Sequence, residues 1–245
     1  MKTKTIVLKF GGTSVGSIER IKAVSKIILS HKKKNTRVAV ISSAMSGVTN
    51  DLIKKTKLIS NNFDTAEYDT LVSTGEQMAC ALIAGKLKAL GQNSRSWLSW
   101  QLPILTEGNY SNSRISNIKT KEFKMINHVF KHFLCFVFCS IPIITGFQGI
   151  NSQLRLTTIG RSGSDASAIM LAKFLKADEC IIYTDVDGVY TTDPRINKKA
   201  KKIKKIFYDE MLEMSSLGSK VMQPTSVQDA KLNKIDITVK SSFIK

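Results

Sequence analysis

The segment Lys9-Phe10-Gly11-Gly12-Thr13-Ser14-Val15-Gly16 sets a lysine at the end of an apolar run, two glycines beside it and a helix-like stretch just beyond. A glycine turn between strand and helix aims backbone N–H groups and the positive end of a helix dipole at one spot, and Lys9 adds a point charge there. Such a spot suits an anion. It is not a Walker loop, because that motif puts its lysine after the glycines, whereas residue 17 is Ser17. A Gly-Gly pair after a strand is also often nothing more than a turn, so this segment alone leaves both readings open. Two later segments are equally two-sided. Ser164-Asp165 at a helix start can serve chemistry or simply cap the helix. Asp185-Val186-Asp187-Gly188, taken by itself, is a surface turn or an acidic metal site.

The elements that must position these residues alternate. Thr5 to Phe10 is a strand-like run ending at Gly11-Gly12, and Ile18, Ile21, Val24 and Ile28 recur at helical spacing after it. Arg37 to Ser43 repeats the pattern, with Ser46-Gly47 leading into a helix through Asn50, Leu52 and Ile53. Leu71 to Leu90 reads as one long helix, Ser96 to Leu98 and Leu102 to Leu105 as strands, Phe123 to Phe133 as a helix, and Ile141 to Thr145 as a strand ending at Gly146. A strand over Leu154 to Ile159, a helix over Asp165 to Leu175 and a strand over Cys180 to Thr184 follow. Helices over Met211 to Leu217 and Lys220 to Ala230 and a closing strand over Ile235 to Lys240 complete the series. Strands separated by helices require crossover connections and a largely parallel sheet covered on both faces. In such sheets ligands gather where strands end and glycine loops begin.

Bulk properties narrow the partners. A 245-residue chain that is 42% hydrophobic and 23% charged can bury a sizeable core and has no low-complexity tract, so one folded domain is expected. The net charge of +18 would fit nucleic acid, but the lysines are dispersed, as in Lys32-Lys33-Lys34, Lys54-Lys55 and Lys198 to Lys205, without interleaved aromatics or a nucleic-acid-binding pattern. Solvated basic faces are the expectation, with no nucleic-acid partner. Cys80, Cys135, Cys139 and Cys180 form neither CxxC pairs nor a disulfide framework, and three histidines offer little for zinc, so reduced buried thiols are expected. Phe133 to Ile144 is too short to span a bilayer and holds Pro142, and no cleavable leader is evident. No membrane association and a cytoplasmic location follow as expectations.

Lys9-Phe10-Gly11-Gly12-Thr13-Ser14-Val15 resembles the opening signature of the aspartate kinases within the amino-acid kinase family. Ser42 to Asn50, Ser73-Thr74-Gly75-Glu76-Gln77, Arg95-Ser96-Trp97 and Gly146-Phe147-Gln148-Gly149 are similar to further segments of that family, in the same order. So are Thr158 to Asp165, Tyr183 to Arg195 and Leu217 to Val221, so the resemblance covers essentially the whole chain. It implies an α/β fold: a three-layer α-β-α sandwich with a mostly parallel central sheet of about eight strands. The implied domain is single, 1–245, with an acceptor-binding lobe over about 1–150 and a nucleotide-binding lobe over about 151–245. The implied reaction moves the γ-phosphoryl group of ATP, with Mg2+, onto the β-carboxylate of L-aspartate, the first step of lysine, threonine and methionine biosynthesis. By resemblance Lys9 and Asp165 are catalytic, Ser43, Thr49, Glu76 and Arg161 hold aspartate, and Gly11, Gly12, Thr184, Asp185, Tyr190, Arg195 and Lys220 hold the nucleotide. Ser43 and Thr49 are equally well read as capping residues; for Glu76 a solvated helix-start carboxylate is the less favoured alternative, and Trp97 is read as core packing. No protein ligand for the metal can be named.

Three departures from the family pattern stand out. Ser162 replaces a glycine, which strains the backbone if that position needs positive φ. Thr225 stands where an arginine is usual. Nothing follows Phe243 except Ile244-Lys245, so regulatory domains, and with them feedback inhibition by lysine or threonine, are not expected in this chain. A homo-oligomer or a separate regulatory chain remains open as a partner. The competing readings are another amino-acid kinase acting on glutamate, acetylglutamate, carbamate or a nucleoside monophosphate, a non-catalytic nucleotide-binding partner, and a nucleic-acid binder.

Overall fold

The computed structural model describes residues 3–102, 104–118, 140–160, 163–194, 196–219 and 221–244. In chain order these form β1 (Lys4–Phe10), α1 (Ile18–His31), β2 (Thr36–Ser42), α2 (Val48–Ile59), α3 (Thr65–Val72), α4 (Thr74–Ala89), β3 (Ser94–Trp97), β4 (Ile104–Glu107) and β5 (Arg114–Ile118). Then come β6 (Ile141–Thr145), β7 (Gln148–Ile150), β8 (Leu156–Thr158), α5 (Gly163–Phe174), β9 (Glu179–Thr184), α6 (Tyr208–Ser216), α7 (Pro224–Asn233) and β10 (Ile237–Ser241).

Six strands, in the order β10-β9-β1-β2-β6-β3, make one wholly parallel sheet. Its inner strands are mostly apolar because both faces are covered, as parallel crossovers demand. On one face Ile6, Leu8 and Phe10 of β1 pack with Ile21, Val24 and Ile28 of α1 and with Cys80, Ile83 and Leu87 of α4. On the other, Val7, Ala39, Ile41 and Ile144 pack with Ala168, Leu171 and Ala172 of α5. A satellite cluster joins Ile182 of β9 to Met211 of α6 and Val227 of α7. The two-residue period of β1 settles where Lys9 goes. Sharing parity with Val7, it faces the side of the sheet on which α5 lies.

A second sheet of four strands, β5-β4-β7-β8, holds the rest, with antiparallel β4/β5 and β7/β8 pairs and one parallel pairing between them. The α/β sandwich with a mostly parallel centre is therefore as expected, its strands divided between a six-stranded and a four-stranded sheet. Strands β5 and β7 were not anticipated from the sequence. The long helix expected over Leu71 to Leu90 is instead two, α3 and α4, broken at Ser73. The carbonyl of Ser73 leaves the helical ladder to accept from Gln148 Nε2 at 3.0 Å, and its hydroxyl turns back to Thr70 O at 2.8 Å. The helix expected from Lys220 starts at Pro224, whose missing N–H suits the first helical position. The strand expected from Leu154 begins at Leu156, because Leu154 sits in a turn at φ 60. The helix expected over Phe123 to Phe133 lies outside the described residues.

Candidate active site

At the C-terminal ends of β1 and β2 a cleft of about 290 Å³ opens between the two sheets' connecting loops. Lys9 and Asp165 meet on its floor. Lys9 Nζ lies 2.6 Å from Asp165 Oδ1, with side-chain exposures of 11% and 7%, so this ion pair is almost withdrawn from water. It is an ion pair rather than an aligned hydrogen bond, and Oδ1 has no hydrogen-bond partner among the described residues. Bringing the two together takes the parity of β1 and the first turn of α5. That helix approaches closely because Gly146, after β6, leaves room: a Cβ there would stand 2.8 Å from the Ser164 side chain and 2.9 Å from that of Ile41.

Gly12 forms the lip. Its carbonyl accepts from Val15 N–H at 3.3 Å and from Ser46 N–H at 3.2 Å, pinning the loop after β1 to the loop after β2. A Cβ on Gly12 would come within 3.0 Å of Ala44 O, which only glycine avoids. Gly47, at φ 87, turns that second loop into α2, and Ser43, Thr49 and Asn50 line the cleft beside it. The first turns of α2, α4 and α5 all contribute lining residues, so three positive helix ends face the space where Lys9 already lies.

Glu76, in the first turn of α4, is 3% exposed. Its Oε1 accepts from Ala44 N–H at 3.0 Å, while Oε2 has no partner among the described residues. Burial raises its pKa to about 7, against the smaller lowering by hydrogen bonds from the Ala44 and Glu76 backbones. A buried carboxyl with one free oxygen facing a cleft is costly unless a cation or donor completes it. Gly75 keeps α4 close: a Cβ there would stand 2.9 Å from Ala44 Cβ.

Of the residues anticipated from the sequence, Lys9, Gly12, Ser43, Thr49, Glu76 and Asp165 share this cleft. Gly11 donates its N–H to Tyr183 O at 3.1 Å, tying the loop after β1 to the end of β9. Thr184, Asp185 and Tyr190 do not line the cleft: Thr184 ends β9 and the other two follow it, and β9 lies beside β1 with Lys9 opposite Ile182. Thr184 Oγ1 donates to Asp185 Oδ1 at 3.0 Å, and Tyr190 OH donates to Asp187 Oδ1 at 2.8 Å. Asp187, in the segment expected to contact the nucleotide rather than form a bare turn or metal site, also accepts from Lys202 Nζ at 3.0 Å. Those two hydrogen bonds hold its carboxyl below the usual carboxylate range. Arg161, Arg195 and Lys220 lie outside the described residues, as do Ser162, Cys135 and Cys139. Cys80 and Cys180 are buried thiols, both with pKa raised by burial, and Trp97 is core.

The sequence profile of the amino acid kinase family matches residues 4–241. The chain belongs to the amino acid kinase family. This family member is 46% identical over 238 residues to an aspartokinase of Geobacillus stearothermophilus, a match spanning 97% of this chain and 56% of the relative. It superposes on the crystal structure of aspartate kinase from Synechocystis with a TM-score of 0.81 at 37% identity, covering 98% of this chain and 38% of that one. Against E. coli aspartokinase III in complex with aspartate and ADP the TM-score is 0.82 at 26% identity, covering 98% and 62%. The chain thus spans about half the length of the curated relatives it matches.

Sequence reasoning missed two contributors to this amino acid kinase site. Phe147 lines the cleft in a left-handed backbone conformation, φ 65, uncommon for a bulky residue. The run Gly146-Phe147-Gln148-Gly149 was the available signal, although nothing in it gave Phe147 a role. Ala44 acts only through its N–H, which a side-chain reading cannot register.

Proposed function

We propose that this chain is the catalytic part of an aspartate kinase, transferring the γ-phosphoryl group of ATP to the side-chain carboxylate of L-aspartate to give 4-phospho-L-aspartate and ADP. The observation that carries this reading is the buried Lys9–Asp165 pair sharing one cleft with the half-satisfied Glu76. The aspartate and ADP bound by E. coli aspartokinase III support the choice of substrates.

The chemistry fits the residues. An aspartate side chain is already an anion at neutral pH, so no general base has to create the nucleophile. One carboxylate oxygen forms a bond to the γ-phosphorus while the bond to the bridging oxygen breaks and its electron pair leaves with ADP. No proton needs to move. What remains is holding two anions in line and offsetting their repulsion. Lys9 is placed to contact the phosphoryl oxygens, and the first turns of α2 and α5 add positive potential. Asp165 holds Lys9 in place. Glu76 is positioned for the substrate ammonium, whose charge would complete its free oxygen, with Ser43 and Thr49 beside it. Arg161 is proposed for the α-carboxylate, where a guanidinium fork binds two oxygens.

The nucleotide is proposed to lie over the end of β9, against Thr184, Asp185 and Tyr190, with Arg195 and Lys220 on its phosphates and Gly11 and Gly12 beneath them. The adjacency of β9 to β1 supports this, since it sets that strand end next to Lys9. Among the described residues no three His, Cys, Asp or Glu side chains converge on a metal position. That fits a magnesium ion arriving on the nucleotide phosphates, which needs only one or two protein carboxylates, and Asp165 offers one in the cleft. Such an ion would offset phosphate charge.

The test is trapping of the acyl phosphate product as its hydroxamate across L-aspartate, L-glutamate, acetylglutamate and carbamate. Aspartate alone, or aspartate far ahead of the others, is the expected result. Preference for another acceptor would overturn the substrate assignment.

A further inference from the structure

Asp69 is fully buried, yet the chemistry above does not use it. It sits on α3, one turn before the break at Ser73. Its carboxyl gathers donors from two distant segments. Ser111 N–H lies 3.0 and 2.9 Å from its two oxygens and Ser111 Oγ 3.3 Å from Oδ1. Thr158 N–H donates to Oδ2 at 2.8 Å and Thr158 Oγ1 to Oδ1 at 2.7 Å. Ser111 holds a left-handed φ of 65 in the turn between β4 and β5. Thr158 ends β8. A carboxyl withdrawn from water is far costlier than an apolar side chain of similar size, and it persists where its full set of acceptors is used to fix geometry.

The two ends of this brace lead to opposite sides of the cleft. Four residues beyond Ser73's neighbour Val72 stands Glu76, and the break at Ser73 is held from the same sheet by Gln148, the β7 partner of Thr158. On the other side, Thr158 is followed by Ile159, whose N–H donates to Phe147 O at 2.8 Å, and by Gly160, whose carbonyl accepts from Gly163 N–H at 2.9 Å at the start of α5. Asp165 stands two residues further on. Asp69 therefore ties the helix start that carries Glu76 to the strand end that delivers Asp165, and the chain between them runs through Arg161.

We propose that Asp69, bonded to Ser111 and Thr158, is a positioning residue that sets the spacing between the Glu76 side and the Asp165 side of the cleft, and so governs affinity for the carboxylate-bearing acceptor. This rests on the reading of the cleft as an acceptor site. Nucleotide binding over β9 lies away from the brace and is unaffected by it.

The experiment measures KM for L-aspartate and for ATP in the full chain and in three variants, together with amide hydrogen exchange over residues 70–80 and 155–160. Asp69→Ala should raise KM for aspartate about tenfold or more while KM for ATP stays within about twofold. Thr158→Val removes one hydroxyl at constant shape and should move KM for aspartate the same way by roughly threefold, so the result does not depend on Asp69→Ala folding well. Asp69→Asn keeps one oxygen for the two backbone N–H groups and lets the Thr158 hydroxyl reverse, so it should restore most of the affinity. Exchange should quicken in both stretches together in Asp69→Ala and Thr158→Val. Parallel rises in both KM values, a lower Tm with unchanged KM values, or exchange quickened on one side only would overturn the proposal. Should the parent chain show no aspartate-dependent turnover, the activity reading falls, and the exchange data still decide whether the brace couples the two sides.

Discussion

Glu76 shows at the scale of one residue how burial and function pull against each other. Unfolded, its carboxyl releases its proton near 4.5; folded, burial holds the proton to about 7. Between those values the folded state binds more protons than the unfolded one, so this group's contribution falls as pH rises from about 4.5 to 7 and is constant above. At about 1.4 kcal/mol per pH unit the loss amounts to on the order of 3 kcal/mol. Glu76→Gln cannot ionise and escapes it. Thermal melts should therefore show the variant gaining on the parent across that window, with little difference at pH 4; a pH-independent gap would contradict the assignment. The same substitution should weaken L-aspartate binding, because the substrate ammonium favours the ionised form. In the parent that affinity should climb as pH approaches 7, and in Glu76→Gln the climb should vanish. Lys9 and Asp165 were legible in the sequence as a strand-end lysine and a helix-start carboxylate, but their 2.6 Å approach depends on β1 parity and on a glycine at 146.

At the scale of elements, the close fit of α4 to the loop after β2 is what brings Glu76 to Ala44. Gly75→Ala would put a Cβ 2.9 Å from Ala44 Cβ, with Val48 Cγ1 at 3.3 Å, so α4 or the loop must give way. Overpacking of this kind should cost about 1–3 kcal/mol. A lowered denaturation midpoint and a raised KM for aspartate are expected, and a variant as stable and as avid as the parent would refute the close fit. Most of the central sheet was readable because its inner strands are largely apolar runs buried on both faces, two of which, β1 and β6, stop at a glycine. The second sheet was not. Strand β5, Arg114–Ile118, mixes polar and apolar residues, and β7 is only three residues long, so neither carries a periodic signal. The break between α3 and α4 escaped notice for a different reason. Every residue from Leu71 to Leu90 tolerates a helix, and the interruption comes from a side chain, Gln148, 75 residues away.

Over the whole molecule, one parallel sheet supplies the strand ends at which the cleft opens, and a smaller sheet braces its far wall. The net charge of +18 needs no nucleic acid to explain it in a protein whose proposed reactants are both anions. Among the described residues no helix is long and apolar enough to cross a membrane. The family assignment follows from a match over residues 4–241. The most direct measurement is ADP release from MgATP by the purified chain with and without L-aspartate, repeated with Lys9→Ala. Release that depends on aspartate and falls by roughly 10²–10³-fold in the variant is the predicted result. Release indifferent to aspartate, or unchanged by the loss of Lys9, would contradict the account.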